Sequence, residues 1–291
     1  MNRVLVIIVT YNGMRWLERC LSSVVSSAVP ADIYLFDNAS EDGSADFVEE
    51  RYPSVKLVRS NENIGFSKAN NLGFEYAVKE GYDYVYLLNQ DAWVMPDTFE
   101  NLLRGFRGGN WGILSPAQMR PDLKTPDKRF SRHFHGTLEP TDEVQPVRFV
   151  MAAHWMIPVR CLKETGFFSP AFTHYGEDNN YCDRMRFHGF GIGVVTSAVG
   201  VHDRQARKMP KPRRIYLNCQ YSKVRLSDPG TSFCLQSVLQ PMRQCVMALR
   251  WFSALPIKSI PELIGEYPSL RRWREESRSK GAFISITDNN K

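Results

Sequence analysis

The chain has 291 residues, 43% of them hydrophobic, enough to bury one large core and leave room for an appended unit. Its six cysteines, Cys20, Cys161, Cys182, Cys219, Cys234 and Cys245, are dispersed without the short spacing of a zinc site or redox pair, so they read as reduced thiols of a cytosolic protein. The net charge of +6 is concentrated in Arg204, Arg207, Lys208, Lys211, Arg213, Arg214, Lys223 and Arg225, a cluster that suits either an anionic partner or an ordinary solvated face; no stretch supplies the roughly 20 uninterrupted apolar residues of a membrane span, so the chain is expected to be soluble or peripheral.

Val4 to Val9 is a short apolar run that ends in Thr10-Tyr11-Asn12 without a small-residue cleavage site, and it predicts a buried first strand rather than a signal peptide. Further strands are predicted at Asp32 to Phe36, Val55 to Val58 and Tyr84 to Leu88. They alternate with helical periodicity at Trp16 to Ser26, Ser67 to Glu80 and Thr98 to Gly105, the pattern of βαβ units around a mostly parallel sheet. Ser40-Glu41-Asp42-Gly43-Ser44 supplies capping residues for a helix over Ala45 to Arg51, which Pro53 stops. Met119 to Pro146 lacks periodicity and is expected to be a long functional or mobile loop.

Val147 to Ile157 reads as another strand, and Phe190 to Val195 with Val199 to His202 closes the sheet. A Lys/Pro-rich connector at Met209 to Pro212 then leads to helical stretches at Tyr216 to Arg225 and Phe233 to Leu255. The second carries Leu235, Val238, Leu239, Met242, Val246, Leu249, Trp251 and Phe252, with Pro241 as a potential kink. Its apolar residues leave two uses open: packing on the parent domain, or a membrane-surface or oligomer contact.

In open α/β sheets ligands bind beyond the carboxyl ends of strands, so the polar residues that follow predicted strands are the first candidates. Asp37 tops the second strand, where a carboxylate can accept from a ribose or base, or else serve a turn. Thr10-Tyr11-Asn12-Gly13 is not a G-x-G-x-x-G loop, and no Walker lysine sequence is present, which argues against a dinucleotide dehydrogenase and a P-loop NTPase. A divalent cation is the economical alternative for neutralising phosphate. Asp91 after one strand and His202 after the last could supply an oxygen and an imidazole to Mn²⁺ or Mg²⁺. Glu177-Asp178 opens a helix, where the carboxylates could cap it or serve as a general base.

Taken together, these motifs resemble family 2 of the inverting glycosyltransferases, which have the GT-A fold, and within it bacterial rhamnosyltransferase-like members. The resemblance covers residues 4 to 203. It rests on Val9-Thr10-Tyr11-Asn12 with Leu17 and Cys20-Leu21, Asp37-Asn38-Ala39-Ser40-Glu41-Asp42-Gly43-Ser44, Asn61-Glu62-Asn63-Ile64-Gly65-Phe66 with Ala69-Asn70-Asn71-Leu72-Gly73, Leu88-Asn89-Gln90-Asp91, and Gly176-Glu177-Asp178 with Asp183-Arg184. It implies a GT-A domain over residues 1–205, with a mixed, mostly parallel sheet flanked by helices, and a C-terminal helical appendage over 206–291.

The resemblance also implies roles. Thr10, Tyr11, Asn12 and Asp37 would hold the nucleoside; Asn63, Gly65, Phe66 and Asn70 would line the nucleotide pocket, with Asn38, Asn89 and Gln90 completing the set. Asp91 and His202 would bind the metal, Asp178 would be the base, and Glu177 would orient acceptor or sugar hydroxyls. Asn89 stands where many GT-A enzymes place an aspartate, which makes the metal conditional.

The implied activity is inverting transfer of a sugar, rhamnose among the candidates, from a nucleotide diphosphate donor to a saccharide or lipid-linked saccharide in cell-surface polysaccharide synthesis. The expected location is the cytoplasm, with peripheral contact at the inner membrane face left open, and no nucleic-acid motif accompanies the basic patch. The rivals are a non-catalytic carbohydrate-binding or scaffold protein on the same fold, and a sugar nucleotidyltransferase, which the absence of a Gly-rich basic loop after the first strand disfavours.

Overall fold

The structure, a computed structural model, describes residues 2–172, 175–204 and 210–284. Its first half alternates strand and helix: β1 (Val4–Thr10), α1 (Met14–Val25), β2 (Ala31–Asp37), α2 (Ser44–Arg51), β3 (Lys56–Arg59), α3 (Phe66–Lys79) and β4 (Tyr84–Asn89). Val4 to Ile8 are all buried, as a strand covered on both faces requires, and α1 buries Leu17, Cys20, Leu21 and Val24, one stripe of a 3.6-residue period. The helix α3 lies on β1 so closely that a Cβ on Gly73 would meet the Ile7 side chain at 2.7 Å. That approach fixes how the start of α3 faces the end of β1.

The chain continues through β5 (Ala92–Val94), α4 (Thr98–Gly105), β6 (Trp111–Met119), β7 (Gln145–Pro146), β8 (His154–Pro158), α5 (Val159–Thr165), α6 (Glu177–Phe187) and β9 (Gly191–His202). Together they form a nine-stranded sheet in the order β3-β2-β1-β4-β8-β6-β9-β5, with β7 pairing β9 to one side. The pairs β1–β2, β1–β4, β2–β3 and β6–β9 are parallel, whereas β8 is antiparallel to β4 and β6, and β5 is antiparallel to β9. Two apolar clusters cover the two faces of this sheet, one around Phe74, Trp155, Phe168 and Tyr181, the other around Leu17, Tyr86, Phe99 and Met156. The strand order reverses direction at β1, a switch point of the kind beyond whose strand carboxyl ends open α/β sheets bind ligands in a crevice.

Three sequence expectations change. The strand expected over Val147 to Ile157 exists only at β8; before it, Trp155 Nε1 donates to the Val150 carbonyl (3.1 Å) and Gln118 Nε2 to that of Met151 (3.2 Å), so side chains replace ladder bonds there. Phe190 to Val195 and Val199 to His202 are one strand, β9, whose register against β6 jumps between Pro116 and Ala117 at a bulge. The Met119 to Pro146 excursion is ordered: Phe130 and Phe134 stack in the core at 5.0 Å between centroids.

Five helices follow: α7 (Lys211–Ser227), α8 (Phe233–Trp251), α9 (Leu255–Lys258), α10 (Ile260–Gly265) and α11 (Tyr267–Glu276). The expected boundary at residues 205 and 206, together with Arg207 and Lys208 of the basic cluster, lies outside the described residues. α8 runs unbroken through Pro241; Phe233, Met247, Ala248 and Trp251 pack inward, whereas Leu235, Val238, Leu239, Met242, Val246 and Leu249 face solvent while Gln236, Gln240 and Gln244 are buried. The basic cluster is also dispersed, with Lys223 paired to Glu266 (2.6 Å), Arg225 to Asp228 (3.2 Å) and Arg204 turned into the crevice. All six cysteines are free.

Candidate active site

The end of β1 is clamped from the side. Gln90 Oε1 accepts both the Thr10 hydroxyl (2.8 Å) and the Tyr11 N–H (2.8 Å), and its Nε2 donates to the Tyr11 carbonyl (3.3 Å). Gln90 therefore braces the strand end with its amide rather than pointing it, unengaged, into the crevice. Asn12, at φ 49°, receives the Glu41 N–H on its Oδ1 (2.9 Å) while its own N–H reaches the Ser40 hydroxyl (2.9 Å), which staples the β1 loop to the β2 loop. Tyr11 remains about half exposed at the rim.

Asp37 is buried at the end of β2, where Oδ2 accepts the Ser40 N–H (3.1 Å) and Oδ1 has no protein donor among the described residues. A buried carboxylate oxygen without a donor is costly unless something fills the place, so it is the natural anchor for a hydroxyl or base N–H of a ligand. Asn38 Oδ1 takes the Ile64 N–H (2.8 Å) and Asn63 Oδ1 the Gly65 N–H (3.0 Å), which shape the loop ahead of α3. Asn70 is buried and donates to the Phe66 carbonyl (2.9 Å), so it supports that helix start from below. Phe66 and Asn89 line the crevice itself.

Strand register makes the second pair. Ala92 of β5 lies opposite His202 of β9, and the Asp203 N–H donates to the Asp91 carbonyl (2.8 Å), which brings Asp91 Oδ1 to 3.2 Å from His202 Nε2. Burial alone would raise the Asp91 carboxyl, but the hydrogen bond and charge of His202, with Arg204 beyond, hold it below the ordinary aspartate value. The 3.2 Å separation is close to the roughly 3 Å edge between adjacent ligands of an octahedral ion with bonds near 2.1 Å, so the two side chains fit a divalent cation. No cluster of three or more metal-ligating side chains occurs among the described residues, and the rest of the shell would come from ligand oxygens and water.

The third group stands at the start of α6. Gly176 precedes it at φ 103°, and a Cβ there would press on Phe172 and Val224 at 2.9 Å, so only glycine turns the chain to present Glu177 and Asp178 to the crevice. Burial, then the neighbouring Asp178 charge, pushes the Glu177 carboxyl up to about 8; its Oε2 is buried without a protein partner. Asp178 is raised as well, by burial, against the Asn179 N–H at 2.8 Å and the charges of Arg129 and Arg204. Of the two, Glu177 is the carboxyl that burial and its neighbour's charge favour in the protonated form.

The crevice is about 580 Å³, and its walls include Arg129, His133, Ala153, Glu177, Asp178, Arg204, Asn218 and Tyr221. Arg129 and His133 come from the ordered excursion, which is anchored by Arg204 Nε to Asp127 Oδ2 (2.9 Å). Sequence reading places Arg204 in a surface patch and does not single out Arg129; the only signal for the latter was a long aperiodic segment. His154, also not singled out, is buried beside the site, with its nitrogens engaged by Tyr86 Oη (2.8 Å) and the Val201 carbonyl (3.0 Å). Burial takes it down to about 3, so it packs as a neutral ring. Arg184 is buried under α6, where it donates to the Thr165 and Phe167 carbonyls, and so serves the fold.

A raised carboxyl makes the folded state less favourable as pH rises. Between the ordinary 4.5 and about 8 the unfolded chain has released the Glu177 proton and the folded chain has not, so stability falls across that window. Because Glu177 is half-buried, an effect of about 1 kcal/mol is expected, which is roughly 2–4 °C in Tm. Glu177→Gln should therefore melt above the wild type at the alkaline end of the window and level with it at the acid end. Parallel melting curves at both ends would show that Glu177 is not strained by its site.

The sequence profile of glycosyl transferase family 2 matches residues 5–166. An undecaprenyl-phosphate mannosyltransferase of Micrococcus luteus is 31% identical over 108 residues, which is 36% of this chain and 44% of that protein. The N-acetylglucosaminyl-diphospho-decaprenol L-rhamnosyltransferase of Mycobacterium tuberculosis is 25% identical over 240 residues, covering 68% of this chain and 75% of its own. Among solved structures, a mannosyltransferase from Pyrobaculum calidifontis in complex with GDP-Man and Mn²⁺ superposes with a TM-score of 0.61 at 19% identity, covering 94% of this chain and 83% of the other. With the profile spanning more than half its length and the sheet arranged as described, the chain belongs to glycosyl transferase family 2 and has the GT-A fold.

Proposed function

We propose that the protein transfers a sugar, with inversion, from a nucleotide diphosphate donor to a hydroxyl of a saccharide or lipid-linked saccharide, rhamnose being the first donor sugar to test. The observation that carries this reading is the recessed Glu177–Asp178 pair, held in one crevice with Arg129, Arg204, Asn89 at the end of β4 and Phe66 at the start of α3. The names of the mycobacterial and Micrococcus relatives support a polyprenyl-linked acceptor and a hexose or deoxyhexose donor.

In this reading Asp37 and the Thr10–Asn12 loop hold the nucleoside. Asp91 and His202 would hold Mn²⁺ or Mg²⁺, which when bound supplies Lewis-acid stabilisation of the leaving diphosphate. Asp178, whose ionised form the charges of Arg129 and Arg204 favour, removes the acceptor hydroxyl proton, while Glu177 retains its own. The oxygen attacks the anomeric carbon from the opposite side, and the bond to the diphosphate breaks with its electron pair leaving on the nucleotide. Protonated Glu177 donates a hydrogen bond to a sugar hydroxyl and orients it. Arg129 and Arg204 face the charge that the diphosphates bring.

The experiment is a thermal-shift screen of nucleotide sugars with Mn²⁺, followed by product analysis with the stabilising donor. Release of nucleoside diphosphate is expected. Release of pyrophosphate would point to nucleotidyl transfer, and the absence of any stabilising nucleotide sugar would point to a non-catalytic binding protein.

A further inference from the structure

The helix α8 is built inside out. Its buried side carries Gln236, Gln240 and Gln244 at intervals of four, with Gln244 only 1% exposed, and only Met247 and Ala248 of its last turns as buried apolar residues, whereas the side facing solvent carries Leu235, Val238, Leu239, Met242, Val246 and Leu249. Leu249 is 77% exposed, and the apolar line continues past the helix end through Phe252, which is 93% exposed, to Ile257. Such a continuous apolar face is costly in water and marks a contact. On the inner side, α8 is fastened to α7 by Arg243 to the Asn218 carbonyl (3.0 Å) and Gln244 to Ser222 (3.4 Å), so the apolar side cannot simply be folded inward.

Charge identifies the occupant. From Pro229 to Pro261 the chain has no carboxylate and three cations, Arg243, Arg250 and Lys258. Arg250 and Lys258 are exposed at the edge of the apolar line, and the exposed Arg214 lies over Trp251 at 5.1 Å. An apolar helix face fringed by cations complements the surface of an anionic bilayer, with side chains below the headgroups and guanidinium groups among them. A second copy of the same face would add cations and no carboxylate. No described helix is long and apolar enough to cross a membrane, so the contact is lateral.

We infer that α8 and the turn through Ile257 seat this protein on an anionic lipid surface. The neighbouring helix α7 supplies Leu217, Asn218, Gln220 and Tyr221 to the crevice wall, so the face that seats the protein and the crevice are joined through one helix pair. The inference is independent of the donor and acceptor, and catalysis without vesicles is read separately as nucleoside diphosphate release.

The test is co-sedimentation of the full chain with vesicles of phosphatidylcholine containing phosphatidylglycerol, against phosphatidylcholine alone. The protein should pellet with the anionic vesicles, and added salt should release it. Leu235→Gln, Val246→Gln and Leu249→Gln together should lower the partition constant about tenfold or more, and Arg250→Glu with Lys258→Glu should also weaken it. All five side chains are exposed, so Tm should stay level and report a folded protein. Wild type that stays in the supernatant with anionic vesicles overturns the proposal, as does undiminished pelleting of the triple variant. So does a dimer in sedimentation equilibrium that the triple variant dissociates without any vesicle binding, which would assign the face to a second copy.

Discussion

Asp178→Asn should lower kcat by about 10² to 10⁴-fold while the dissociation constant of the nucleotide sugar changes little, because a positioned general base contributes on that scale only when the acceptor proton moves. The substitution suits the site: it keeps the shape beside the Asn179 N–H and removes only the charge that Arg129 and Arg204 face. Donor binding by calorimetry and single-turnover kinetics separate the two quantities. Turnover near the wild-type value would remove Asp178 from the chemistry and leave it as a helix-start carboxylate. The acid limb of kcat/KM should lie above 3.8, the ordinary aspartate value, since burial raises this group.

The second large effect is expected at the strand-register pair. Asp91→Ala should cost about 10²-fold or more in Mn²⁺-supported turnover if Asp91 and His202 are the proposed protein ligands, since outer-shell changes alone cost 10–100-fold. It should also leave His202, buried at 2% exposure, without its carboxylate partner. Titrating wild-type activity with EDTA and then restoring Mn²⁺ gives the matching readout. Full activity after thorough chelation would mean that Arg129 and Arg204 neutralise the leaving diphosphate alone, an outcome that the neutral Asn89 at the strand end makes worth testing.

The parallel half of the sheet was legible because its strands are buried on both faces and its helices have one apolar stripe. Val4 to Val9 and Trp16 to Ser26 declare themselves, and the polar residues after β1, β2 and β4 follow from them. The antiparallel half was not. β5 has three residues, and β6 carries Ser115, Pro116 and Gln118 in its middle, so neither shows a period. Asp91 and His202 were chosen as strand-end residues, but their meeting depends on β5 pairing with β9, a contact between segments that no local pattern joins.

Arg129 was missed for the same reason, since a segment without periodicity gives no hint of which side chain its tertiary contacts aim inward. With α8 the residue pattern was legible and its direction was not. Periodicity reports that one face is apolar, but not whether that face turns toward the protein. Only the burial of Gln236, Gln240 and Gln244 decides it.

The clamp at Gln90 bears on how kinetic data from this enzyme are interpreted. One amide oxygen fixes both the Thr10 hydroxyl and the Tyr11 N–H, so a substitution there lets a whole strand terminus drift. The resulting rise in KM would resemble the loss of a donor contact and would vary little from one nucleotide base to another. A residue that touches the base discriminates between bases; a residue that holds the frame scales all of them alike. That selectivity pattern, rather than the size of the defect, separates contact from scaffold around this crevice.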